Sequence, residues 1–167
     1  MEEKIMKCKS EDVVKYDAGA GAEEVVPIFE ARICLKGDRS TGRQITNSAD
    51  LKKYICGTMC DFATEQMMVV SVDTQCRVLS TAIVGVGGLD NVNVDIASIA
   101  KVALLSNARG VFLSHNHPGG TCRPSSADIS TTIQIKKALA MFAIEIMDHL
   151  IVCPDGSSYS MRQHGDF

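Results

Sequence analysis

Two histidines, a serine and an aspartate fall within one short stretch, Ser114–Asp128, SHNHPGGTCRPSSAD, and their types and spacing suit metal chemistry. His115 and His117 are separated by one residue at the end of the apolar run Gly110–Ser114. In an extended chain, residues i and i+2 project to the same side, so both imidazoles can converge on one point just beyond a strand end. Asp128 arrives three positions after Ser125, in the first turn of a helical pattern. Two neutral imidazoles and a carboxylate, without an obvious fourth protein ligand, make up a catalytic zinc site with one position open to water. A structural zinc site would close with a fourth ligand. The same letters also have an account without chemistry: Ser-x-x-Asp before an apolar helix is a capping box, and a histidine can simply cap a loop carbonyl. What favours the metal is the conjunction, a histidine pair at a strand end and a carboxylate at the next helix start.

The elements that must position these groups can be read from the pattern. Pro118, Gly119, Gly120 and Pro124 force a turn after the histidines. Ser125 is a natural N-cap for a helix over 126–143, with Ile129, Thr132, Ile135, Leu139 and Phe142 at helical spacing behind Asp128. Upstream, Asn47 or Ser48 caps a helix carrying Leu51, Tyr54, Ile55 and Met59. Gln66–Val72 is a nearly continuous apolar strand of the kind buried on both faces, and Val78–Gly85 runs back beside it, ending at Gly87-Gly88. A helix is expected at about Asp95–Asn107, with Ile96, Ile99, Ala100, Ala103 and Leu104 on one face. Strands at Ile144–Val152 and Tyr159–Met161 follow, with a turn at Pro154-Asp155-Gly156 between them. Ile28–Leu35 is a further strand, and Gly42–Thr46 is a link or a second short one. The pattern is α/β, a mixed sheet flanked by helices. Residues 1–26 form a polar N-terminal extension, helical or disordered; 27–162 is the domain, and 163–167 a solvated tail that includes His164.

A chain of 167 residues with 46% hydrophobic content can bury a substantial core. Its net charge of −3 provides no basic field for non-specific nucleic-acid binding. The N-terminus lacks an apolar signal region and no run approaches membrane-spanning length, so a cytoplasmic protein is expected. Seven scattered cysteines, an odd number, read as free thiols in a reducing compartment. Only Cys122 raises a functional question: a thiolate that swings onto zinc, or a loop cysteine that never reaches it. Asp148-His149 resembles a second metal pair, but adjacent strand residues face opposite ways, which favours a structural or supporting hydrogen bond.

His115-x-His117-Pro118 followed by Ser125-x-x-Asp128 is similar to the signature of the JAMM metalloproteases, the MPN or JAB domain family. HNHP, PSSAD and Asp148-His149-Leu150-Ile151-Val152 resemble its bacterial RadC branch, over roughly Ile45 to Ser160. The loop departs from the pattern, with Gly119, Thr121, Cys122 and Arg123 where such proteins read close to HNHPSGDPTPS. The resemblance implies a three-layer, cytidine deaminase-like sandwich, with one zinc ion per chain on His115, His117 and Asp128. It also implies cleavage of a peptide or isopeptide bond by metal-activated water, on a protein or peptide substrate of ubiquitin-like or conjugated type. Such a hydrolase needs a base. By residue type alone Glu23, Glu24, Glu30, Glu65 and Glu145 all qualify. The resemblance selects Glu65, because the family's upstream catalytic glutamate precedes this hydrophobic strand, and it gives Ser125 a hydrogen bond to the developing oxyanion. Two rival expectations stand beside it. One is a DNA-repair-associated or mobile-element accessory protein, after the historical label of RadC-like chains; the other is a metal-binding interaction module without turnover.

Overall fold

The computed structural model describes residues 42–87 and 94–167. The expected N-terminal extension, the strand at Ile28–Leu35, Glu23, Glu24, Glu30 and Gly88 lie outside them. The elements run α1 (Ser48–Met59), β1 (Gln66–Val72), β2 (Val78–Val86), α2 (Ile96–Leu105), β3 (Gly110–Asn116), α3 (Ser126–Ala140), β4 (Glu145–Val152), β5 (Ser158–Ser160) and α4 (Met161–His164). Five strands form one open sheet in the order β2-β1-β3-β4-β5. Only β3 and β4 are parallel, and parallel neighbours need a crossover, which α3 supplies.

Alternation along the central strands divides the core into two halves. Met68, Val70 and Val72 of β1 join Phe112, Leu150 and Val152 beneath Leu51, Ile55 and Met59 of α1. Met67, Val69, Val111, Leu113 and Ile146 point the other way, under Ile99 and Ala103 of α2 and Ile135 and Leu139 of α3. The sheet is thus the middle of three layers, as the pattern implies. Every residue of β3 is buried, which is why this stretch carries so few polar groups except those the site uses. At its start a Cβ on Gly110 would meet Met147 Cγ at 2.9 Å and Glu145 O at 3.3 Å, so a side chain there would require the Met147 side chain to shift.

Several boundaries differ from the sequence reading. Helix α3 stops at Ala140, not 143, and Phe142 is half exposed instead of extending the buried stripe. The chain leaves the helix through Ala143 in a left-handed conformation (φ 56°), with Ile144 N–H donating to Leu139 O. In α2, Ile99 and Ala103 are buried but Leu104 is turned outward. At the C-terminal end of the domain Met161 is fully buried and opens α4, which runs into the expected tail as far as His164; that histidine is exposed, as expected, with Nδ1 2.8 Å from Ser160 O. Asp148 explains this turn. Its carboxylate accepts from Ser160 Oγ and Arg162 N–H, capping α4 from the neighbouring strand.

Candidate metal centre

His115 is the penultimate residue of β3 and faces the α2/α3 side; His117 stands one residue past the strand. Their Nε2 atoms are 2.9 Å apart. His117 Nδ1 donates to the carbonyl oxygen of Thr121 at 2.6 Å. A carbonyl can only accept, so His117 carries its proton on Nδ1 and turns a bare Nε2 lone pair toward His115. Asp128 completes the group from the first turn of α3, with Oδ1 3.4 Å from His115 Nε2 and Oδ2 3.9 Å from His117 Nε2. The capping box is also present: Ser125 N–H donates to Asp128 Oδ2 at 2.6 Å, and Asp128 N–H donates to Ser125 Oγ at 3.1 Å. The two accounts of this motif are therefore compatible, since the cap on Oδ2 leaves Oδ1 to His115. Partial burial works against ionisation of Asp128. The hydrogen bond and charge of His115 and the bonds from Ser125 outweigh it, holding the carboxyl well below the usual range.

Glu65 joins this group from across the sheet. One ligand atom each from Glu65, His115, His117 and Asp128 all lie within 4.8 Å of one another. They line a cleft of about 220 Å³, together with Ser125, Thr131 and His149. The loop before β1 carries Glu65, and Asn116 ties that loop down. The Asn116 amide donates to Phe62 O at 3.2 Å and Thr64 O at 3.0 Å, while its oxygen accepts from Gln66 N–H at 2.8 Å. On the other side, Gly87 N–H donates to Glu65 O. Asn116 was not singled out from sequence. A signal did exist, because an amide set in an otherwise apolar strand must find partners for its polar atoms once buried.

The donor set suits a divalent metal: an outward imidazole lone pair, a second imidazole, an ionised carboxylate, and a second carboxylate within reach. A family model for the RadC-like JAB domain matches residues 45–166. The chain belongs to the RadC-like JAB domain family. Among its relatives, a UPF0758 protein of Pelodictyon phaeoclathratiforme is 30% identical over 91% of this chain and 68% of its own length. One of Chlorobium chlorochromatii is 31% identical over 86% and 64%, and one of Porphyromonas gingivalis is 27% identical over 97% and 73%. The chain thus spans about two thirds of the length of these curated relatives.

Within this RadC-like domain, the Asp148-His149 pair has separate duties. Asp148 caps α4, whereas His149, fully enclosed, lies with its Nε2 2.8 Å from His115 Nδ1 and its Nδ1 2.6 Å from Thr132 Oγ1. Burial, with His115 beside it, pushes the His149 imidazole well below its ordinary range, so this ring is neutral. Glu145, the other described candidate base, is remote in function: it is exposed and pairs with Arg162 at 3.4 Å. The loop also corrects the reading of the cysteines. Cys122 is bonded to Cys153, with Cα atoms 5.8 Å apart, so its sulfur is neither a free thiol nor available to a metal. Cys56, Cys60 and Cys76 are the free cysteines among the described residues. Among those residues, too, no helix is long and apolar enough to cross a membrane.

Proposed function

We propose that this RadC-like JAB domain is a zinc-dependent hydrolase of peptide or isopeptide bonds. His115, His117 and Asp128 hold the metal, Glu65 handles the proton, and Ser125 assists the reacting carbonyl. The observation that carries the reading is the fixed tautomer of His117, whose bare Nε2 faces a second imidazole and an ionised carboxylate. Lone pairs and negative charge gathered this closely call for a cation. When bound, zinc supplies a water that ionises at about pH 7 and a Lewis acid for the carbonyl oxygen.

The chain's own groups do the rest. Glu65, held by backbone bonds on both sides, accepts a proton on its carboxylate and delivers it to the leaving amine. Ser125 Oγ accepts from Asp128 N–H, which leaves its hydroxyl proton free to donate to oxygen developing negative charge in the cleft. Protein or peptide chains of ubiquitin-like or conjugated type are the substrates to test.

The test joins metal content to turnover. Purified protein supplied with zinc should hold close to one ion per chain, and His117→Ala should lose it. Glu65→Gln should keep the ion while turnover falls by roughly 100- to 10,000-fold. Asp128→Asn should instead weaken zinc binding itself. If Glu65→Gln released the ion, Glu65 would be a ligand and the assignment of the base would fail.

A further inference from the structure

Cys122 sits midway along the loop that joins His117 to Asp128, where this chain departs from the pattern of similar proteins. That loop is thinly tied. Gly120 N–H donates to His117 O at 3.1 Å, but among the described residues Thr121, Cys122 and Arg123 take part in no backbone–backbone hydrogen bond. Pro118 and Pro124 have no N–H to offer. The Thr121 carbonyl instead accepts from the His117 ring at 2.6 Å, and so aims that ring at the cleft.

The other end of the disulfide is firmly held. Cys153 is fully buried, its N–H donates to Ser157 O at 3.1 Å, and its carbonyl accepts from Gly156 N–H at 3.0 Å. Asp155 Oδ1 accepts from Ser157 N–H within the same turn. The bond between Cys122 and Cys153, with Cα atoms 5.8 Å apart, and a 3.1 Å contact from Cys122 Sγ to Ser157 Oγ hold the loop against this turn. Fixing Cys122 fixes the carbonyl one residue before it, which is the carbonyl that orients His117.

We propose that the Cys122–Cys153 disulfide is a thiol-sensitive tie on the metal centre. Closed, it keeps His117 aimed and the ion tightly held; opened by small thiols, it frees the loop and weakens that hold. The inference rests on the metal centre proposed above. The two sulfurs differ in access, since Cys122 is half-buried between exposed Thr121 and Arg123 while Cys153 is enclosed. An incoming thiolate therefore attacks Cys122 Sγ; the Cys122–Cys153 bond breaks, and Cys153 leaves with the electron pair and takes a proton from water. A second thiolate attacks the reagent's sulfur in the mixed disulfide, and Cys122 leaves and is protonated in turn. The protein gains two electrons and two protons, and the two thiols become a disulfide. Cys122 and Cys153 are positioning residues here, acting on the ion only through Thr121 and His117. Removing the partner behind a metal-binding imidazole weakens metal affinity by about 10- to 100-fold, and loosening it belongs at the lower end of that range.

The experiment is a titration of the full chain with zinc(II) against a chromophoric chelator, on oxidised protein and on protein reduced with dithiothreitol that is then removed under nitrogen. Circular dichroism establishes that both samples are folded at the temperature used. The reduced chain should bind zinc about 10-fold more weakly, and reoxidation should restore the affinity. Cys122→Ser should sit at the reduced value under both conditions. That variant retains every other cysteine, so zinc taken up by thiols elsewhere is common to all samples. A purely structural tie would lower the melting temperature of the reduced chain and leave the zinc affinity of the folded protein unchanged, and that result would overturn the inference. Tighter binding on reduction would overturn it too, because a released thiol would then be joining the ion. Either outcome leaves the metal centre standing, whereas failure of the oxidised chain to take up zinc would sink both.

Discussion

Asn116 separates two kinds of legibility at the scale of single residues. His115, His117 and Asp128 could be read as a group because strand and helix periodicity bring them together over a short span. Asn116, between the two histidines, works through residues about fifty positions away, at Phe62, Thr64 and Gln66. No local pattern announces such partners. His149 is a similar case: the sequence suggested a supporting hydrogen bond, but could not tell which ring it supports. Asn116→Ala should leave three backbone groups beside Glu65 unpaired and cost about 1–3 kcal/mol of stability. Zinc should stay bound, because the metal-holding side chains are untouched, while turnover falls about 100-fold as Glu65 loses its fixed position. Urea unfolding, metal content and turnover on one preparation check all three. Unchanged turnover would mean that the Gly87 bond alone holds Glu65.

The elements were legible where punctuation was strong and illegible where it was absent. Asn47, Asp95 and Ser125 cap their helices as their residue types predict. Helix α3 ends without a glycine or asparagine, so no stop signal precedes Ala143, which adopts the left-handed conformation at some cost. Ala143→Gly should relieve that cost and raise stability by roughly 0.5–1 kcal/mol after the added flexibility of the unfolded chain is counted. A thermal melt would show it, and a lower melting temperature would contradict it. The link between the site loop and the end of β4 was equally hidden, since spacing cannot pair scattered cysteines. Peptide mapping of unreduced protein should recover Cys122 joined to Cys153. Cys122→Ser should destabilise the oxidised protein by about 3–4 kcal/mol, as expected for opening a loop of this length. Equal stability of the variant and the unreduced parent would rule the link out as a structural tie.

At the scale of the whole molecule, composition and periodicity were enough for a mixed sheet flanked by helices, because an apolar strand buried on both faces demands cover, while the three-layer arrangement was implied by the family resemblance. They could not give strand order. That follows from pairings such as β1 between β2 and β3, which depend on contacts across the chain. The net charge of −3 bears on partners. Without a basic field to release counterions, duplex DNA should bind weakly at physiological salt. A fluorescence titration across salt concentrations tests this. Tight binding that falls steeply with salt would favour a nucleic-acid role over peptide hydrolysis.

The crossover β3-α3-β4 has a consequence for how the domain comes into working order. His115, His117, Asp128, Thr132 and His149 all belong to that single continuous unit, whereas Glu65 arrives only when β1 zips onto β3. Capture of the ion and readiness for proton transfer are therefore separable events in assembly. On the proposed reading, fraying of β1 from β3 would withdraw Glu65 while leaving every metal-holding side chain on one continuous segment.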